Sequence, residues 1–246
     1  MTDPTTVPLE PTEPGEAGAQ GAESNPYAAV IFDLDGVIVH TDELHYRAWK
    51  GLADRLGLPF SRTDNDQLRG VSRMRSLELL LAGRADSYSE AEKVALADEK
   101  NKDYRDLLNE LSPDDVSEAV RCTLWALQEG GYRLAIGSSS RNAGLILRHI
   151  ELDGWFEAVA DGSMITHSKP DPEVFLKAAE LLGLSPAECV IVEDARSGVD
   201  AALAGGFHCF GIGDAAGHPD VTWAIESLPD MLAVLLPGKP LPPIVY

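Results

Sequence analysis

Residues 30–41, VIFDLDGVIVHT, decide how the rest of the chain is read. An apolar run stops at Asp33 and Asp35, and Gly36 follows. In an extended strand, residues i and i+2 point to one face. The two carboxylates therefore stand side by side where a buried strand ends. Neighbouring carboxylates repel, so one must be protonated or neutralised. A divalent cation and unequal surroundings would do both, leaving one aspartate as a nucleophile and the other as a general acid/base. Two acidic turn residues before a glycine would look the same, so this stretch alone leaves both readings open.

Working outward, short apolar runs alternate with amphipathic segments. ECVIVED, YRLAIGSS, FEAVADG and FHCFGIG read as strands, and DVTWAI as a possible further one. RNAGLILRHIEL, DPEVFLKAAELLG and ARSGVDAALAGG read as helices between them. SPDDVSEAVRCTLWALQEGG reads as a helix entered through Pro113. This alternation predicts an α/β fold with a parallel sheet covered on both faces, a Rossmann-like core. Residues 42–112 break the rhythm and are nearly all helical in pattern, with a Ser89/Glu92 capping box. The predicted organisation is an α/β core, residues 27–41 and 113–236, with a helical cap domain, 42–112, inserted after the first strand. Sites in open α/β sheets form at the carboxyl ends of strands, so this insertion would lie over the site. Residues 1–26 are acidic and rich in Pro, Gly and Ala, which predicts a disordered tail. Residues 237–246 predict a Pro-rich C-terminal tail.

The bulk composition limits the partners. The 40 Asp and Glu exceed the 20 Lys and Arg, for a net charge of −20. That balance argues against nucleic-acid binding, which needs a basic face. No run of about 18 apolar residues is present to span a membrane. The N-terminal stretch lacks the basic and apolar regions of a secretory signal. The 3 cysteines are far apart and lie among apolar residues, without metal-ligand spacing. A cytoplasmic, monomeric protein acting on small molecules is the expectation.

Four features fall at predicted carboxyl ends of strands. Besides Asp33 and Asp35, GSSSRN at 137–142 offers small hydroxyls and helix-start amides for an anion, or plain N-capping. Lys169, in HSKPDP, could balance phosphate and carboxylate charge, or be a solvated loop lysine. Glu193 and Asp194 end a second buried strand and suit a hard cation such as Mg²⁺, or Asp194 simply caps the next helix.

Taken in order, a DxDG motif, a strand-end serine, Lys-Pro and Glu-Asp resemble the haloacid dehalogenase superfamily of phosphoryl-transfer enzymes, over roughly residues 27–213. The inserted segment is similar to its β-phosphoglucomutase subgroup. LHYRAWK, LRGVSR at 68–73, KNKDY at 100–104 and SSSRN carry that likeness. The resemblance implies an isomerase that interconverts β-D-glucose 1-phosphate and β-D-glucose 6-phosphate. It implies Mg²⁺ as cofactor and β-glucose 1,6-bisphosphate as intermediate and activator. By the same resemblance, Asp33 is the nucleophile that becomes an aspartyl phosphate, and Asp35 the acid/base. The metal falls to Asp33, the main-chain carbonyl of Asp35, and Asp194, with Glu193 close by. Ser138 and Lys169 grip the transferring phosphoryl group. His45 positions Asp35, and Trp49 lies beside it on the same helix. Arg73 holds the distal phosphate, Lys100 and Asn101 face the sugar or phosphate, and Ser140, Arg141 and Asn142 complete a phosphate site. His45 could instead flank a core face with Trp49, and Arg73 and Lys100 could be surface charges.

One departure is His40, where the subgroup usually has an aspartate. It is expected to support the site from beside it rather than to react. Two other readings use the same residues. One is a Mg²⁺-dependent sugar-phosphate phosphatase, which hands the aspartyl phosphate to water. The other is a non-catalytic sugar-phosphate binding protein.

Overall fold

A computed structural model describes residues 25–68 and 71–238 of the chain. Strand β1 (Ala29–Phe32) is completely buried. Its four consecutive apolar residues are what a strand covered on both faces requires. Val30 and Phe32 point into one apolar cluster, Ala29 and Ile31 into another, as the two-residue period of a strand dictates. The chain then makes the helices α1 (Asp42–Arg55), α2 (Arg62–Asp66), α3 (Arg73–Leu81) and α4 (Glu90–Leu107) before returning to the sheet.

These helices bury a cluster of their own: Trp49, Leu52, Ala53, Phe60, Leu77, Leu80, Leu81 and Ala97. Their starts are marked by serines. Ser72 Oγ accepts from the Arg75 amide at 3.3 Å. Ser89 and Glu92 form the reciprocal capping box read in the sequence, with the Ser89 amide donating to Glu92 at 2.7 Å. Such caps satisfy amides that the helix itself leaves free.

The remainder alternates regularly: α5 (Glu118–Glu129), β2 (Arg133–Gly137), α6 (Ala143–His149), β3 (Ala158–Ala160), α7 (Glu173–Leu182), β4 (Cys189–Glu193), α8 (Arg196–Ala204), β5 (His208–Gly211), β6 (Trp223–Ala224) and α9 (Met231–Leu235). The strands form one parallel sheet in the order β3-β2-β1-β4-β5-β6. The chain winds outward from β1 to β3, then returns to β1's other edge with β4. The crevice at that reversal opens where β1 and β4 end, at Asp33 and at Glu193 with Asp194. None of the described helices is long and apolar enough to cross a membrane.

Some boundaries differ from the sequence reading. Pro113 does not open α5. Residues Pro113–Asp115 make a separate 3₁₀ turn, closed by the Ser112 amide donating to Asp115 at 2.8 Å, and α5 starts later under a Ser117 cap. Asn25, assigned by composition to the acidic tail, is held by the fold. Its side-chain amide donates to the Tyr132 hydroxyl at 2.7 Å and to the Leu235 carbonyl at 3.2 Å. The other tail assignments, residues 1–24 and 239–246, lie outside the described residues, as do Arg69 and Gly70 of the LRGVSR motif.

Gly137, the last residue of β2, links packing to the site. A Cβ there would lie 2.7 Å from Phe175 Cδ1 and 3.2 Å from Ile31 Cγ2. The Phe175 ring in turn lies under the Lys169 ammonium, 4.6 Å away. Gly137→Ala is therefore expected to lower stability by about 1–3 kcal/mol through overpacking, read as a drop in the urea midpoint. An unchanged midpoint would contradict this packing account.

Candidate active site

Lys169 lies at the centre of the crevice. Its ammonium donates to Asp33 Oδ1 and, at 2.5 Å, to Glu193 Oε1. All three side chains are buried. Burial alone would depress the lysine, but the Asp33 and Glu193 charges outweigh it and raise Lys169 above its ordinary value. Glu193's other oxygen accepts from the Ala195 amide at 3.0 Å. Both oxygens of Glu193 thus hold the lysine and the turn, which leaves Asp194 the freer carboxylate at this strand end.

Asp194 is the carboxylate that remains available. The helix-capping alternative fails for it, because Ala195 occupies the cap position of α8 and makes no side-chain cap. Its carboxylate lies against Gly36, where a Cβ would come within 2.1 Å of Oδ2. Gly36 also has φ +92, a conformation that L-residues with side chains rarely adopt. The glycine of the DxDG motif thus makes the turn and leaves room for the carboxylate. Burial, then the charges of Asp33 and Glu193, push Asp194 up to about 8. Burial and the neighbouring Asp33 push Asp35 up to about 7. Asp33, Asp35, Glu193 and Asp194 all feel the Lys169 ammonium, and their oxygens are hard donors. The chemistry of that donor set fits a divalent cation such as Mg²⁺, which Asp33, Asp194 and the Asp35 carbonyl would hold.

Thr41 and Tyr104 complete the surroundings of Asp35. Thr41 Oγ1 donates to Asp35 Oδ1, and the Tyr104 hydroxyl donates to Thr41 Oγ1 at 3.1 Å. Tyr104 is fully buried on α4, so this chain of hydroxyls ties the acid/base candidate to the cap. His40 is exposed. The residue beside Asp35 is its neighbour Thr41, which corrects the supporting place expected for His40.

Above the crevice, Lys100 donates to His45 Nδ1 at 2.9 Å. Burial and the positive charges of Lys100 and Arg73 hold His45 well below its ordinary value, so its Nδ1 is an acceptor. His45 stacks on Tyr104 with ring centres 4.0 Å apart. The Lys100 ammonium sits 4.7 Å from the Trp49 ring and 4.6 Å from that of Tyr104. Lys100 is itself buried, and burial with the Arg73 charge brings it down to about 7. Trp49 is therefore the aromatic floor of Lys100 and part of the cap core.

The core supplies the opposite wall. Ser138 Oγ accepts from the Ser140 amide at 3.1 Å, and Ser140 Oγ from the Asn142 amide at 3.2 Å. Each hydroxyl keeps its own O–H to donate. Asn142 Nδ2 donates to Asn101 Oδ1 at 2.9 Å, a direct bond from core to cap. Arg141 Nε donates to the Gly162 carbonyl at 3.1 Å. Arg73 is partly buried, and both that burial and the charge of Arg141 work against its own charge. Two guanidiniums in such a setting favour an anion between them.

A cavity of about 470 Å³ joins all of these groups, and every site residue named from the sequence lines it. Ser139, Asn65 and Asp98 also line it and were not foreseen. Ser139 Oγ is buried without a hydrogen-bond partner. Its place between Ser138 and Ser140 was a signal in the sequence. Asn65 and Asp98 carried none.

A model of the hydrolase family described as haloacid dehalogenase-like hydrolase matches residues 27–206. The β-phosphoglucomutase of Bacillus subtilis is 42% identical over 187 residues, which cover 75% of this chain and 83% of that protein. A phosphorylated carbohydrates phosphatase of Thermotoga maritima is 32% identical, over 72% of this chain and 81% of that one. Among solved structures, a β-phosphoglucomutase from Clostridium difficile superposes with a TM-score of 0.78 at 34% identity, covering 82% of this chain and 92% of that one.

The raised carboxyls have a consequence for stability. From the ordinary carboxylate range up to about 8, Asp194 holds its proton in the folded metal-free protein and loses it in the unfolded chain. Its own contribution to stability therefore falls as pH rises through that window, while the lowered His45 and Lys100 act in the opposite sense. In a chelator, the urea midpoint of the wild type relative to that of Asp194→Asn should therefore fall between pH 5 and 8. Parallel slopes would contradict the assignment.

Proposed function

The chain belongs to the haloacid dehalogenase-like hydrolase family, and from that premise we propose that it is a β-phosphoglucomutase. It interconverts β-D-glucose 1-phosphate and β-D-glucose 6-phosphate through β-glucose 1,6-bisphosphate. The observation that carries this reading is one cavity with two cationic groups: Lys169 beside Asp33 in the core, and Arg73 with Arg141, which line the same cavity close enough for their charges to repel. A substrate with a phosphate at each end needs both, and a phosphatase acting on one phosphate needs only the first.

Asp33 attacks phosphorus and becomes an aspartyl phosphate while the sugar oxygen leaves. Asp35, raised to about 7, carries a proton near neutral pH and gives it to that oxygen. In the return step Asp35 takes the proton of the incoming sugar hydroxyl, and the phosphoryl group passes from Asp33 to that oxygen. Bound by Asp33, Asp194 and the Asp35 carbonyl, Mg²⁺ would supply positive charge against the transferring phosphoryl oxygens. Lys169 keeps Asp33 aligned and offers its ammonium to the same oxygens. The Thr41–Tyr104 chain fixes the Asp35 carboxyl in step with the cap. Covering of the cavity by α1, α3 and α4 keeps water from the aspartyl phosphate while the bisphosphate turns.

The similarity to the Thermotoga maritima phosphatase supports a second reading, in which water takes the phosphoryl group. A coupled assay for glucose 6-phosphate separates the two, using β-glucose 1-phosphate with Mg²⁺ and a trace of bisphosphate. Isomerised sugar phosphate is expected, and it should be lost in Asp33→Asn. Release of inorganic phosphate without glucose 6-phosphate would reject the mutase reading. Arg73→Ala should lower kcat/KM for the sugar phosphate by roughly a hundredfold, the scale of a lost charge-assisted contact. It should leave phosphorylation of Asp33 by a small donor such as acetyl phosphate nearly unchanged. Equal losses for both would remove Arg73 from the distal clamp.

A further inference from the structure

Asp98 is a carboxylate in a cavity built for anions. It lies on α4 one turn from Val94 and next to Asn101 on the same helical stripe, and all three line the cavity. Its Oδ1 is 3.5 Å from Arg73 Nη1. The two partners are unequally placed: the Arg73 side chain is 23% exposed and that of Asp98 70%. Arg73 starts α3 and is held in the cavity, whereas Asp98 can swing into solvent. If the pair opens, Asp98 is the side that moves.

We propose that Asp98 sets the affinity of the distal clamp: a counter-anion from the same chain that pairs with Arg73 until an incoming phosphate displaces it. This rests on the reading of Arg73 and Arg141 as the clamp for the distal phosphate. An anion that takes the Arg73 Nη1 donors displaces Asp98 from them, and the same penalty falls on every such ligand. The consequence differs between ligands. A sugar phosphate is also held at its hydroxyls and at the other end of the cavity, and its second contact is intramolecular, at high effective concentration. It absorbs the penalty and still saturates the site. Inorganic phosphate has one anchor and is pushed to weaker binding. Asp98 thus keeps free phosphate from filling the clamp, using a solvent-exposed pair of modest strength.

The test is calorimetric titration of the full chain with inorganic phosphate, alongside steady-state kinetics. Asp98→Asn should bind phosphate about fivefold tighter, the scale of a lost exposed ion pair. Its inhibition constant for phosphate and its KM for the sugar phosphate should both fall by a similar factor, with kcat little changed. Asp98→Glu should restore wild-type phosphate affinity. In the Arg73→Ala background, Asp98→Asn should give no further gain. Unchanged phosphate affinity in Asp98→Asn would overturn the proposal. So would a gain that persists without Arg73, since Asp98 would then act only through the general field. Glu99→Gln, which removes an adjacent charge paired with Arg55, should not reproduce the gain, and an equal gain there would also overturn it. If Arg73→Ala alone leaves phosphate binding unchanged, the distal clamp itself fails and the role of Asp98 falls with it. If Arg73→Ala weakens phosphate binding while Asp98→Asn changes nothing, the clamp stands and only the role of Asp98 fails.

Discussion

The site depends on one buried ammonium between two buried carboxylates. Lys169 bonds Asp33 and Glu193 at once, and nothing else in the crevice could stand as it does without that compensation. Charges removed from water are tolerated only when paired and hydrogen-bonded. Glu193 is the sacrificial partner: it ends β4, turns to Lys169, and takes the Ala195 amide. Gly198 makes room for it, since a Cβ there would come within 1.9 Å of its carboxyl carbon. Phe175 supports Lys169 from below, and Gly137 makes room for Phe175. One ion triad thus accounts for a strand end, a helix start and two glycines.

The remaining negative charge suits the floor of the site to a hard cation. Asp35 and Asp194 are both raised, with burial as the main cause. A raised Asp194 would be relieved by a bound divalent ion, while a raised Asp35 suits the proposed donor role, because a proton donor at neutral pH must hold its proton. The cap adds the opposite sign. Lys100, Arg73 and the neutral His45 meet the acidic floor of the core across one cavity. The chain's overall charge of −20 does not describe this interior, where Lys169, Lys100, Arg73 and Arg141 stand among the carboxylates.

Much of this was legible in the sequence, and the reason is geometric. Strand ends in a parallel sheet converge, so Asp33, Ser138 and Asp194 could be brought together from three short apolar runs and the residues that follow them. Helix starts were readable where a serine with a partner three residues on supplied the cap, as at Ser89. What stayed hidden depends on side-chain orientation. Glu193 and Asp194 are equivalent as letters, and only the fold turns one to Lys169 and the other to Gly36. Thr41 and Tyr104 are 63 residues apart, and no local pattern joins them. His40 drew attention as an unusual letter, yet it faces solvent. The two-residue strand β6 falls inside the DVTWAI stretch read as a possible strand, whereas the five-residue helix α9 is too short for periodicity to reveal.

The central claim is that the phosphoryl group moves between Asp33 and a sugar oxygen without passing to water. The most direct measurement is turnover of β-glucose 1-phosphate in water enriched in heavy oxygen, with the products resolved by mass spectrometry. The account predicts glucose 6-phosphate whose phosphoryl group carries no heavy oxygen. Inorganic phosphate carrying heavy oxygen as the main product would contradict it.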